Sequence, residues 1–192
     1  MTDLISIRTF GTFTKGAKLF AFLALMSVLG ACSSTPSQVH IAPVPLLTSN
    51  TPALALIDQD CYSQAQKIAL SAQSSGATAQ YLSAARYMRS CLQHPMPEPL
   101  DKSQSQAVMQ LMANVSLNFI QGGDISAAQE QMRRFEQTFP HQDLYLPDFT
   151  SFRDTAKALL NSALITTNQL ARLNISRELR EELERQAYWL SH

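Results

Sequence analysis

Apolar side chains recur from Cys61 onward at the spacing of one helical face. Cys61, Ala65, Ile68 and Ala72 form one stripe, and Tyr81, Ala84, Met88 and Cys91 form another after the break SSGAT. A turn this short predicts two antiparallel helices. The prolines of HPMPEPLD, residues 94–101, end that unit, because each removes a donor and restricts its predecessor. A second pair is predicted over Gln104 to Gln121 and Ser126 to Phe139, joined by Gly122-Gly123-Asp124 and closed by Pro140. Asp124 suits an N-cap, after a glycine able to take positive φ. After LYLPDF, a third periodic stretch runs through Phe149, Phe152, Ala156, Leu159, Ala163 and Leu170. A last helix, Asn174 to Leu190, carries the narrow stripe Leu179, Leu183, Ala187 and Leu190 on an otherwise charged surface supported by pairs such as Glu181 with Arg185. The expected fold is therefore all-α, built of antiparallel helical hairpins as a short solenoid or bundle over residues 57–192.

The first 31 residues have a different pattern. Arg8, Lys15 and Lys18 stand against the single acid Asp3 and precede LFAFLALMSVL, eleven residues with only Ser27 polar. A membrane-spanning helix needs about 20 apolar residues and a secretory core roughly 7–15. The run fits the second requirement. It ends in Leu29-Gly30-Ala31-Cys32, a tetrapeptide that resembles the lipobox of bacterial lipoproteins. That resemblance implies cleavage before Cys32, a diacylglyceryl thioether on its sulfur and an acylated α-amine, an anchor of the strength several acyl chains provide. It also implies an address at the cell outer membrane, facing the periplasm, because Ser33 rather than aspartate follows the lipidated cysteine. From Ser33 to Pro52 the chain holds four prolines and no charge, the composition of a tether. Two prolines, Pro43 and Pro45, count against an edge strand there. Residues 32–56 are read as lipidated cysteine and tether, able to reach about 60 Å if extended.

An extracytoplasmic address changes the meaning of the other two cysteines. Gly76 lies fifteen residues after Cys61 and fifteen before Cys91, so folding at that glycine brings the sulfurs level on facing stripes. In an oxidising compartment they are expected to pair. The bond would enclose 29 residues and contribute about 3–4 kcal/mol by the chain-entropy estimate.

Charge narrows the function classes. The three cations and one acid of residues 1–31 leave 12 Lys and Arg against 14 Asp and Glu, a net charge of about −2. With no basic cluster, nucleic acid is not an expected partner. No enzyme constellation assembles either. His40, His94, His141 and His192 share no metal-ligand spacing, no glycine-rich phosphate loop occurs, and Glu98, Glu130 and Glu136 are better read as solvated than as a lone cleft acid. The expectation is a non-enzyme without cofactor, metal or small-molecule substrate.

SLNFIQGGDISAAQEQMRRFEQTFP, within Val108 to Pro140, resembles a tetratricopeptide repeat. Phe119 supplies the aromatic, Gly123-Asp124 the turn, Ala128 the small contact residue and Pro140 the terminator. Ser116 stands where the family has glycine, Met112 where it has an aromatic, and 44 residues separate Ala84 from Ala128. The resemblance implies a groove that binds peptides, with Asn114, Asn118 and Gln121 as a polar row facing the partner. Tyr188 and Trp189 are the residue types that anchor interfaces. Two partner-binding readings follow: a scaffold that docks an envelope protein, favoured by a groove lined with those amides, or a pilotin-like chaperone or carrier for a secretion or pilus component, favoured by an apolar groove exposing Met109, Met112 and Met132.

Overall fold

The computed structural model of the chain describes residues 56–92, 96 and 99–191. Cys32, the tether to residue 55, His40, His94, Glu98 and His192 lie outside the described residues. Within them the chain is all-α, with seven helices and no strand among the described residues; Ile57 with Leu92 and Tyr145 with Ser151 form isolated bridges. No helix there is long and apolar enough to cross a membrane.

Helix α1 (Gln59–Ser75) starts where Asp58 accepts from the amide of Cys61 and stops at Gly76, whose φ of 67° provides the left-handed cap. Helix α2 (Thr78–Ser90) follows after two residues, Gly76 and Ala77. The two lie against each other through Ala65, Ala69, Ala84 and Ala85, small side chains that let the backbones approach. A disulfide joins Cys61 in the first turn of α1 to Cys91 at the end of α2, with Cα atoms 5.5 Å apart. The spacing about Gly76 had placed these sulfurs level, and they are.

Helix α3 (Lys102–Gln121) opens with a capping box between Asp101 and Gln104. It is buried without interruption from Ala107 to Phe119. One side, with Leu111, Val115 and Phe119, joins α1 and α2, and the other, with Val108, Met112 and Leu117, joins the later helices. A helix apolar on both sides is the centre of a domain. Gly123, at φ 75°, and Asp124, which accepts from Ala127, turn the chain into α4 (Ile125–Thr138). Gly122 sits so close to α2 that a Cβ there would lie 2.5 Å from a methyl of Leu82. Ala128 is fully buried in the contact, as a small residue at that position should be.

Helix α5 (Phe152–Leu160) brings the Phe152 ring edge-on to Phe135 with centroids 4.9 Å apart. The periodic stretch that began at Phe149 is not one helix. It breaks after Leu160, passes through turns, and resumes in α6 (Thr167–Leu170), because Thr166 and Gln169 form a capping box that starts a new helix locally. Helix α7 (Arg177–Ser191) begins three residues later than predicted and rests only Leu179 and Leu183 on Ala158, Leu170 and Ile175. The Arg180 guanidinium donates to the carbonyls of Leu170 and Leu173, fastening α7 to the end of α6. Arg185 pairs with Glu182, at 2.6 Å, rather than with Glu181, which faces Arg177.

Candidate partner-binding surfaces

The amide row predicted to meet a partner lies inside the domain. Asn114 and Asn118 are 1% and 6% exposed, and Gln121 is half-buried. The Asn114 side chain donates to the Tyr62 hydroxyl at 2.7 Å, and that of Asn118 donates to the Asn114 carbonyl at 2.8 Å. The polar face of α3 is covered by α1 and α2, so its amides serve the core rather than a ligand. Burial pushes the Tyr62 hydroxyl up to about 12 against the hydrogen bonds from Asn114 and Gln66, which pull it down. Ser116, at the glycine position of the repeat pattern, is fully buried, with its hydroxyl unpartnered among the described residues. Met109, Met112 and Met132 are buried too, so neither groove expected from the sequence is present in its expected form.

Tyr188 and Trp189 lie at the exposed end of α7. The second half of α7 leaves the core, and Tyr188, Trp189 and Leu190 are 55%, 66% and 77% exposed. The two rings meet edge to face with centroids 5.4 Å apart, which holds one against the other. The stripe of Leu179 and Leu183 continues into exposed Ala187 and Leu190, so only its first half is covered.

Openings lie elsewhere among the described residues. One of about 260 Å³ lies among the end of α2, α3 and α4, with Leu92, Leu111, Met112 and Val115 as its apolar wall and Arg89 and Arg134 at its edge. Another of about 380 Å³ lies between the end of α5 and the α6 region, lined by Lys157, Asn161, Leu164, Ile165 and Arg172 among others. Nothing in the spacing of those residues pointed to it, since the break after Leu160 creates it.

Glu130 accepts from Arg134 and Arg133, which hold its carboxyl below the usual range. Glu136 and His141 are exposed, and no group of three or more His, Cys, Asp and Glu among the described residues is placed to hold a metal ion.

No protein-family description, curated protein or solved structure matches the chain.

Proposed function

We propose that this chain is a lipid-anchored scaffold of the outer membrane, facing the periplasm, whose helices act as tetratricopeptide-like hairpins that dock an envelope protein. The observation that carries the reading is the exposed end of α7, where Tyr188, Trp189 and Leu190 stand together outside the core. Aromatic side chains bury large area at low entropic cost, and a rigid helix presents them without further ordering. Two features support the address. Cys32 follows a short apolar run in a lipobox-like tetrapeptide, and the Cys61–Cys91 bond suits an oxidising compartment. The reading is non-catalytic, with no cofactor or small-molecule substrate.

A pilotin-like chaperone is the second reading, favoured by the 260 Å³ opening with its apolar wall and two arginines. It would take an apolar side chain of a partner segment followed by an acidic group.

A photo-reactive amino acid at position 189 or 190, in cells making the full chain, separates the two. The scaffold reading expects one envelope protein captured from both positions and not from Ser71, on exposed α1. Capture from Arg134 but not from 189 or 190 favours the chaperone. Capture from none of these sites removes both.

A further inference from the structure

Phe149 and Leu164 are the most exposed large apolar side chains among the described residues, at 83% and 81%. Phe149 also has φ 62°, and no other non-glycine described residue has positive φ. Glycine or asparagine would relieve that backbone strain, and a ring standing in water returns nothing to folding. The turn is nevertheless held in place. Phe149 donates its amide to the Leu146 carbonyl at 2.9 Å, Leu146 donates to Thr150 at 2.9 Å, and the Asn174 side chain donates to the Phe149 carbonyl at 3.1 Å. A strained, exposed and fixed aromatic is a docking feature rather than a packing one.

Asn174 connects this turn to the 380 Å³ opening, because Arg172 and Leu173, just before it in sequence, line that opening with Lys157 and Leu164. The lining holds two cations and no acid, and neither cation is ion-paired among the described residues. The nearby carboxylates Asp154 and Asp148, which accept from the Asn174 amide at 2.7 Å and the Thr150 hydroxyl at 2.7 Å, keep their charge but lie outside that lining.

We propose that the turns bearing Phe149 and Leu164, with Lys157 and Arg172, dock the domain onto an anionic phospholipid surface. Single exposed apolar side chains on turns fit a fluid interface, which closes around them without a preformed pocket. Cations beside them meet phosphate while their apolar stems remain in the interface. The inference rests on the lipid-anchored reading above, since an anchor on a tether of limited reach keeps such a surface at high local concentration.

The mature lipoprotein gives a clean test. With the Cys32 sulfur acylated and Cys61 bonded to Cys91, Leu164→Cys supplies a lone thiol for an environment-sensitive nitrobenzoxadiazole label. Phe149→Cys is a second reporter and Ser71→Cys the control. On vesicles of phosphatidylethanolamine and phosphatidylglycerol, labels at 164 and 149 should brighten severalfold and shift to the blue, while that at 71 stays unchanged. Phosphatidylcholine vesicles, or Lys157→Glu with Arg172→Glu, should abolish the response. Protein that floats with vesicles while its labels respond alike on both lipids, or only after other envelope proteins are added, overturns the docking alone. Protein that fails to float overturns the anchoring and the docking together.

Discussion

The side-chain nitrogen of Asn114 donates to the Tyr62 hydroxyl across 2.7 Å, joining α3 to α1 over a sequence separation of 52. Both groups are almost completely buried, so removing either leaves the other one hydrogen bond short with little access to water to replace it. Asn114→Ala should therefore cost about 1–3 kcal/mol in urea unfolding, not the ~0.5 kcal/mol of an exposed site. A double-mutant cycle with Tyr62→Phe should return a coupling of roughly 0.5–3 kcal/mol. A neutral Asn114→Ala would show that the two groups do not meet.

Tyr62 also sets a pH dependence. Burial pushes its hydroxyl up to about 12 in the folded domain from the ordinary tyrosine value of about 10, so the unfolded chain loses the proton first. The stability this group contributes is complete below pH about 10 and is lost as pH rises through the interval to about 12, up to about 3 kcal/mol. Urea midpoints measured between those values should fall less steeply for Tyr62→Phe than for the parent. Equal slopes would remove Tyr62 from the alkaline limb.

The Cys61–Cys91 bond closes a loop with a sequence separation of 30. Replacing both cysteines with alanine should lower unfolding free energy by about 3–4 kcal/mol, mostly through the freedom given back to the unfolded chain. Helical circular dichroism below the transition should persist. Non-reducing peptide mapping should recover the two fragments joined; free thiols in envelopes alkylated at harvest would contradict the pairing.

Two phenylalanines three residues apart should behave oppositely. Phe152 is fully buried against Phe135, and Phe152→Ala should cost about 3–5 kcal/mol. Phe149 is solvated with positive φ, and Phe149→Asn should leave thermal stability within about 1 kcal/mol or raise it, because asparagine tolerates that conformation. A large loss at 149 would mean that the ring packs on the domain.

Trp189 is the only tryptophan of the chain, so its fluorescence reports on α7 alone. Emission characteristic of a solvated indole, readily quenched by iodide, is expected in the free protein and should become protected when a partner docks there. Trp189→Ala should change stability by no more than about 0.5 kcal/mol. Protection from iodide in the free protein would mean that this end of α7 is already covered.

Much of the helical arrangement was legible because helices begin, end and face inward for local reasons. Asp124 and the glycine before it marked the start of α4, and the equal distances of Cys61 and Cys91 from Gly76 placed both sulfurs level at the open end of the hairpin. Each of these signals is carried by a few residues within reach of one another along the chain. They need no knowledge of what lies across the core.

Tertiary structure decided which faces are wet. Asn114 and Asn118 follow the spacing of a solvated helix face, yet α3 is enclosed by α1 and α2 on that side, and their amides became core groups once Tyr62 and a carbonyl of α3 itself supplied partners. The stripe on α7 continues for its whole length, but only Leu179 and Leu183 find a surface to cover them, which leaves Trp189 outside. The residues around Leu164 had an apolar period long enough for one helix, but α5 stops at Leu160 and the capping box at Thr166 starts a separate helix. Periodicity specifies that a face is apolar or polar; which neighbour arrives to cover it depends on contacts between segments far apart in sequence, and those are set only when the whole domain packs.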